Sequence, residues 1–468
     1  MALSIYNSLT KRKEEFQPIN PPVVKMYTCG VTVYDRCHIG HARSLYVFDV
    51  IRRYLQFRGF KLEFVRNITD VDDKIIQKAN ETNKTSKEIS EEQIRLYYED
   101  MQALGVNKAD LEPKATDNIA EMITHIQGLI DNKHAYAVQS GDVYFNVRSF
   151  NNYGQLSGQS IDKMMEAVRI EKDSDKKDPL DFALWKASKA GEPSWDSPWG
   201  AGRPGWHIEC SCMSLKHLNT QTLDIHAGGR DLIFPHHENE LAQSEALTNK
   251  IFAKYWIHHG LLTINGQKMS KSLGNFITIQ DALAKYTADE VKMFFLFSHY
   301  ASPIDFTEEK IQEARKALNK FDVLFWKASQ LLNGHDVEAF QAEFILKWKQ
   351  EFIEAMDDDF NTPKALAALF NLMTDTNKYI DEQKEDPHYL GVVYHAVDVL
   401  ENLSRRIFGL FLKEEERELN EELKVLLQER IDARVAKNFK RSDELRDLLK
   451  SKGVAVEDTK TGQTWRWV

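Results

Sequence analysis

Two short segments carry residue types suited to phosphate chemistry. His38-Ile39-Gly40-His41 follows an apolar, strand-like run and opens a helix-like one. A helix N-terminus exposes unpaired N–H groups and partial positive charge, which attract anions. Gly40 lets a ligand come close to the backbone, and the two imidazoles flanking Ile39-Gly40 can both donate to one phosphate group. The other segment is Lys268-Met269-Ser270-Lys271-Ser272, within the Gly-containing loop Asn265–Asn275. Two lysines on a loop can neutralise negative charge that builds on phosphates during nucleotide transfer. Taken singly, each segment also has a plainer reading: a polar helix start, and a solvated basic loop.

A second group of residues has metal-ligand chemistry. Cys29 ends the first strand-like run, and Cys210 closes Pro204-Gly205-Trp206-His207-Ile208-Glu209-Cys210. Downstream lies Phe234-Pro235-His236-His237-Glu238-Asn239-Glu240. Pro235 suits a helix start, and on that helix the i, i+4 spacing turns His236 and Glu240 toward one point. Two thiolates, an imidazole and a carboxylate suit Zn²⁺. The four are scattered, however, and no Cys-x-x-Cys knuckle is present. Spacing alone leaves isolated buried cysteines and a capping histidine as an equal alternative. Cys37 and Cys212 read as small apolar residues; His207 and His237 are neighbours whose roles the sequence does not separate.

The elements that would hold these groups follow from hydrophobic pattern. Val23–Cys29 alternates as a strand, an amphipathic helix runs from about Gly40 to Phe57, and Lys61–Val65 is the next strand. This order opens a parallel α/β nucleotide-binding sheet. Strand signals return at Leu223–His226 and Tyr255–His258. The predicted division is a first half-sheet over 1–111, a connective insertion over 112–200, and a second half-sheet with the lysine loop over 201–300. The insertion includes a strand-like Asp142–Val147 and a polar run, Glu171–Pro179. A helical region follows over 301–412, then a charge-rich linker, Lys413–Glu422, and a small C-terminal domain that together span 413–468. The acidic run Asp357-Asp358-Asp359 precedes Asn361-Thr362-Pro363, a good helix start, and reads as structural rather than catalytic.

Composition narrows the class. The chain has 468 residues, about three domains' worth. A hydrophobic content of 42% supports large cores rather than disorder. Four cysteines in so long a chain cannot form a disulfide framework and point to a reducing compartment. The first residues lack a signal-peptide pattern, and no apolar run approaches the about 20 residues a membrane span needs. A soluble, cytoplasmic protein without membrane contact is therefore expected, with a monomer as the working oligomeric state. The net charge of −10 argues against nucleic acid when taken whole. The segment from Glu421 onward nevertheless holds 11 Lys and Arg against 9 Asp and Glu, which permits a basic contact surface there.

Taken together, in this order and about 230 residues apart, the His38–His41 and Lys268–Ser272 segments resemble the paired signature of class I aminoacyl-tRNA synthetases. With Tyr27-Thr28-Cys29-Gly30, Trp206–Cys210 and Phe234–Glu240 added, the whole chain resembles the bacterial cysteinyl-tRNA synthetases. The resemblance implies a Rossmann-type catalytic core, a helical bundle and a C-terminal anticodon-binding domain. It implies activation of L-cysteine by ATP, with Mg²⁺ accompanying the nucleotide, and transfer to tRNA(Cys). It assigns catalysis to His38, His41, Lys268 and Lys271. It assigns ATP binding to His38, Gly40, His41, Gly228, Gly229, Asp231 and Lys271, and substrate cysteine to Thr69 and Trp206. One zinc per chain would be held by Cys29, Cys210, His236 and Glu240. A substrate thiolate would join it, whereas a serine hydroxyl stays protonated and ligates poorly. That discrimination would leave no need for an editing domain, and no segment reads as one.

At the C-terminal end the resemblance maps Arg434, Asp443 and Asp458 onto positions that read anticodon base edges, and Phe439 onto one that stacks on an unpaired base. An amphipathic helix with ordinary i, i+4 charge pairs remains an equal reading for each residue. Two rivals differ in acceptor or in catalysis. A related cysteine ligase acting on an amino sugar shares the metal and adenylate chemistry but lacks the long C-terminal region. An RNA-binding relative without catalysis would be expected to lose the two signature segments, and both are intact.

Overall fold

The computed structural model describes residues 2–167, 175–270, 273–411, 419–459 and 462–467. Its centre is a four-stranded parallel sheet: β1 (Val23–Thr28), β2 (Lys61–Arg66), β3 (Leu223–Gly229) and β4 (Ala253–His259), in spatial order β4-β3-β1-β2. β3 is buried along its whole length, as a strand covered on both faces must be. It runs past the expected end at His226 through Ala227, Gly228 and Gly229. Pairing of Gly228 and Gly229 with His258 and His259 holds these poor strand formers extended.

The crossover from β1 to β2 is α1 (Ile39–Phe57), and that from β3 to β4 is completed by α3 (Glu238–Thr248); α2 (Trp206–His217) enters β3. Because β1 and β3 are neighbours and their crossovers depart toward opposite edges, a crevice opens at their C-terminal ends. Such a switch point is where open α/β sheets bind ligands. Cys29 and Gly228-Gly229 lie at its rim.

Proline sets the local shape before α3. Phe234 is extended (φ −138°, ψ 132°), because a residue preceding proline is pushed out of the helical region. The regular helix thus starts at Glu238 rather than at Pro235, and His236 sits in the irregular turn before it.

The segment between β2 and β3 forms its own antiparallel sheet: Ala135–Ala137, Val143–Phe145, Phe182–Ala187 and Gly202–Pro204. The strand expected over Asp142–Val147 is only the three residues Val143–Phe145. This sheet packs on the helix Ile119–Asp131 and on α2 through Met122, Ile126, Phe145, Leu184, Ile208 and Met213. Residues 171–174 of the polar run lie outside the described residues. A third sheet joins Leu262–Ile264 to Gln267–Lys268 and to Ile304–Phe306, the last a strand within the region expected to be helical.

Four helices follow: Glu308–Leu332, Glu343–Asp357, Thr362–Glu382 and Tyr389–Arg406. They share one core with α1, which is buried nearly all round because the sheet covers one side and the bundle another. The C-terminal unit is a helix pair, Glu421–Val435 and Phe439–Ser451, with a hairpin, Val454–Thr459 and Gly462–Trp467, over a small core of Leu423, Leu427, Leu449, Val454 and Val456. Asn420 caps the first of these helices, so Glu421 and Glu422 belong to it and not to the linker, whose residues 413–418 lie outside the described residues. Among the described residues no helix is long and apolar enough to cross a membrane.

The acidic run is spent on packing. Asp357 is buried and accepts from the Tyr54 hydroxyl at 2.7 Å and from Arg58. Asp359 accepts from Tyr6 N–H at 2.9 Å and from the Tyr300 hydroxyl at 2.8 Å. Asn361 caps the helix that follows. Asp357→Ala should therefore lower stability by about 1–3 kcal/mol, since it removes a buried carboxylate that accepts from both Tyr54 and Arg58. A denaturation midpoint checks this.

Candidate active site

Both histidines of the first signature segment build the helix start they sit on. His38 is the N-cap of α1, and its Nδ1 accepts from Gly40 N–H at 3.1 Å and His41 N–H at 3.3 Å. His41 Nδ1 accepts in return from His38 N–H at 3.2 Å, a capping box made of two imidazoles. Their rings stack with centroids 3.7 Å apart. Burial pulls the His38 pKa down to about 4 and holds His41 well below its usual value, so both rings are neutral at pH 7. With Nδ1 accepting, the ring proton sits on Nε2 in each, and two N–H donors remain for a ligand. A side chain at Gly40 would meet the His38 ring at 2.9 Å, which explains the residue type.

The lysine loop reaches the same place. Phe276 packs edge-on against His38 at 5.4 Å, and Met269 lies beside Gly40. Asn275 closes the loop by accepting from Ser270 N–H at 2.8 Å and donating to Lys268 O at 3.2 Å. Lys268 is exposed at the end of its strand; Lys271 lies outside the described residues. Across the crevice Gly228 and Gly229 end β3. A side chain on Gly228 would meet the His237 ring at 2.7 Å. Asp231 follows directly, exposed and close enough to His38 to act on its charge.

The sheet also brings the scattered metal-type ligands together. Ligand atoms of Cys29, Cys210, His236 and Glu240 all lie within 4.8 Å of one another. Cys29 comes from the end of β1, Cys210 from α2, and His236 and Glu240 from the turn and first residues of α3. Glu240 is fully buried; its Oε1 accepts from His236 Nε2 at 2.9 Å and from Cys29 Sγ at 3.2 Å, and its Oε2 pairs with His226 Nε2 at 2.6 Å. Burial opposes ionising this carboxyl, but the two imidazoles hold it well below the usual range. Burial likewise opposes charge on His236, and Glu240 and Cys210 overcome it to raise the imidazole to about 10. The Cys210 thiol, despite burial, is drawn down to about 6 by hydrogen bonds from Cys29 and His236. Such a set, soft thiolates with an imidazole and a carboxylate in a dry site, fits Zn²⁺.

Several partners were invisible as ligands in the sequence. His226 sits mid-strand in β3 and buttresses Glu240; a histidine between Ile225 and Ala227 in a parallel strand is the signal that could have found it. His207 Nδ1 meets His236 Nδ1 at 2.9 Å, and His237 Nδ1 meets His258 Nε2 at 2.8 Å, so both neighbours of uncertain role orient other imidazoles. Trp206 stacks on His236 at 4.2 Å and stays 39% exposed, leaving part of the ring for a ligand. Thr69 donates to buried Glu209 at 2.8 Å and accepts from Asn67 at 3.2 Å, while Asn67 accepts from Gly30 N–H at 2.8 Å.

At the far end, Phe439 begins its helix 61% exposed, with Asp443 one turn on and paired to Arg446 at 3.2 Å. Arg434 and Asp458 are joined to each other. Arg434 donates to Asp458 at 2.6 Å, and buried Arg430 grips the same carboxylate at 3.0 and 3.2 Å.

Residues 15–316 match the family model for the class I (C) tRNA synthetase catalytic domain, 351–413 the DALR domain, and 416–466 the cysteinyl-tRNA ligase anticodon binding domain. The cysteine–tRNA ligase of Persephonella marina is 48% identical over 491 residues, covering 100% of both chains. The chain belongs to the cysteine–tRNA ligase family. The family member of Geobacillus thermodenitrificans is 47% identical over 471 residues, with 99% of each chain covered. Mycobacterium tuberculosis methionyl-tRNA synthetase in complex with methionyl-adenylate superposes with a TM-score of 0.66 at 14% identity, over 83% of this chain and 92% of that one. It shares the class I fold.

Buried neutral histidines give this ligase a defined acid sensitivity. Burial depresses His38, His125 and His259 from 6.5 to about 4, and His258 to about 3. The unfolded chain takes up protons as pH falls through 6.5, whereas the folded one resists until about 4. The stability these rings contribute is thus full above 6.5 and drains between 6.5 and about 3. Urea midpoints should hold from pH 8 to 7 and fall progressively below 6.5; a midpoint flat down to pH 5 would contradict the burial of these rings as neutral groups.

Proposed function

We propose that the chain activates L-cysteine with ATP and transfers it to the 3′ end of tRNA(Cys), and that it selects cysteine with a zinc centre at Cys29, Cys210, His236 and Glu240. The observation that carries this is the convergence of those four ligands on the crevice into which the imidazole-capped helix also points. In the first step a carboxylate oxygen of cysteine attacks the α-phosphorus in line, the bond to the β-phosphate oxygen breaks, and pyrophosphate leaves. In the second a terminal ribose hydroxyl of the tRNA attacks the carbonyl, and AMP leaves with the bonding electrons.

The chain's own residues act by position and charge, with no covalent protein intermediate. The Nε2–H groups of His38 and His41 donate to phosphate oxygens, and the N-terminus of α1 adds its partial charge. Gly40 lets the nucleotide lie against the backbone, and Gly228 and Gly229 do the same at the ribose, with Asp231 accepting from its hydroxyls. Lys268 and Lys271 stabilise charge on the departing pyrophosphate, and Mg²⁺ arrives with ATP. Thr69, its proton committed to Glu209, offers its oxygen to the substrate ammonium, and Trp206 covers the side chain. When bound, Zn²⁺ supplies an electrophilic position that a thiolate fills and a protonated hydroxyl does not. Rejecting serine through coordination exceeds what an apolar pocket can do against a near-isostere, so editing is not needed.

The C-terminal unit takes the anticodon. Phe439 stacks on an unpaired base, Asp443 accepts from a base amine, and Arg434 donates with its guanidinium held in place by Asp458. The match over 416–466 supports this assignment over an amino-sugar ligase. Four free cysteines accord with a cytoplasmic enzyme, which we take to work as a monomer.

The two ends separate experimentally. Purified protein should catalyse cysteine-dependent ATP–pyrophosphate exchange and charge total tRNA with cysteine. Removing everything after residue 411 should leave exchange within a few-fold of native while charging falls steeply through weaker tRNA binding. In the full chain, Asp443→Ala should cost about 1–3 kcal/mol against the cognate anticodon and less against an altered one. Native charging by the truncated enzyme would remove the anticodon role and return attention to small amine acceptors.

A further inference from the structure

Arg43 lies on α1 two residues beyond His41, and it is 1% exposed. A guanidinium this deep normally meets a carboxylate. Its partners here are four backbone carbonyls: Nη1 donates to Gly260 O and Leu261 O, both at 2.8 Å, and Nη2 to Tyr300 O at 3.1 Å and Ser302 O at 2.5 Å. Burial draws its pKa down to about 10, and no carboxylate among the described residues offsets it. A buried cation solvated only by main-chain dipoles costs stability relative to an apolar residue of similar size. Its place in the fold is accordingly better explained by what it joins.

Both carbonyl pairs belong to loops that feed the small sheet. Gly260 and Leu261 link β4 to Leu262–Ile264, whose hairpin partner ends at Lys268. Tyr300 and Ser302 lead into Ile304–Phe306, the other neighbour of Leu262–Ile264. The two loops also bond to each other, Gly260 N–H to Tyr300 O at 2.9 Å and Ile304 N–H to Leu261 O at 3.0 Å. There is no room for adjustment, since a side chain on Gly260 would meet Ser302 O at 2.2 Å.

The far end of the lysine loop is tied to the same helix start. Ile39 N–H donates to Ile277 O at 3.0 Å, and Ile279 N–H to Cys37 O at 2.9 Å. The loop between Lys268 and Phe276 therefore leaves from and returns to one body. Its return tether is two backbone bonds, and its departure tether is the Arg43 guanidinium.

We propose that Arg43 is a positioning residue for adenylate formation, fixing the base of the Lys268–Ser272 loop to the helix that carries His38 and His41. This rests on the reading that the chain activates cysteine with ATP. Phosphate oxygens must be met from both sides at once, by imidazole N–H groups and by lysines. A displacement of about 1 Å between such groups costs about 10²-fold in rate. The planar fork of arginine reaches four carbonyls where one ammonium cannot. The metal centre lies on other elements and should not respond.

The test is pre-steady-state activation by the zinc-loaded, full-length enzyme, with active sites counted by the adenylate burst. Arg43→Gln should lower the activation rate per counted site by about 10²-fold, with zinc content and the KM for cysteine unchanged. Arg43→Lys, which keeps the charge and the buried stem, should lose less; where Arg43→Gln does not accumulate folded, Arg43→Lys is read by the same criteria. A melting temperature that falls while the rate per counted site stays native would assign Arg43 to stability alone and overturn the proposal. Absence of cysteine-dependent exchange in the unaltered protein would instead remove the functional reading on which it rests.

Discussion

Parallel strands can be joined only by crossovers, and two neighbouring strands whose crossovers depart in opposite directions leave their C-terminal ends facing an open crevice. The candidate active site depends on that constraint being met between β1 and β3. The end of β1 delivers Cys29 and, after a short loop, the start of α1. The end of β3 delivers Gly228 and Gly229 and, through the turn before α3, His236 and Glu240. Residues that lie roughly 200 apart in the chain become neighbours because the sheet has nowhere else to put them.

The crevice floor concentrates groups that are costly to bury. Glu240 is wholly enclosed, yet each oxygen has an imidazole partner, His236 on one side and His226 on the other. Those imidazoles lean on further rings, His207 beside His236 and Trp256 stacked on His226 at 4.6 Å. Buried polar networks of this kind stabilise a unique arrangement only when their members are paired. Both Glu240 oxygens are paired, while His226 Nδ1 and His237 Nε2 have no partner among the described residues, and the two thiols and the His236–Glu240 pair converge from three elements. At the opposite rim the start of α1 presents neutral imidazoles. The two signature histidines cap their own helix and keep only their Nε2–H groups for ligand, so that site changes little in charge across neutral pH.

Much of this was legible in the sequence, and the exceptions have physical causes. The strand–helix–strand opening was placed to within a residue or so, because alternating and 3.6-residue periods are strong over β1, α1 and β2. Residue type and spacing could nominate Cys29, Cys210, His236 and Glu240 but left isolated buried residues an equal reading, since ligand convergence is a property of topology, not of spacing. The start of α3 was misplaced because Pro235 imposes extension on Phe234 as well as suiting a first helical turn. β3 was cut short because Gly228 and Gly229 carry no strand signal of their own; β4 holds them. His226, Glu209 and Arg43 were overlooked as structural partners. Each is a polar residue at a buried position of a regular element, which is the pattern that marks a positioning role. The pairing of Asp458 with Arg430 and Arg434 is set by hairpin register, which no local pattern encodes.

The reading of the buried cluster as the centre that selects cysteine is tested most directly by X-ray absorption at the zinc edge of the purified, zinc-loaded enzyme. Spectra would be taken alone, with L-cysteine and with L-serine. Two sulfur ligands, from Cys29 and Cys210, are expected without amino acid, a third on adding cysteine, and no change on adding serine. An unchanged sulfur count with saturating cysteine, or a zinc environment without thiolates, would contradict selection by thiolate ligation at this site.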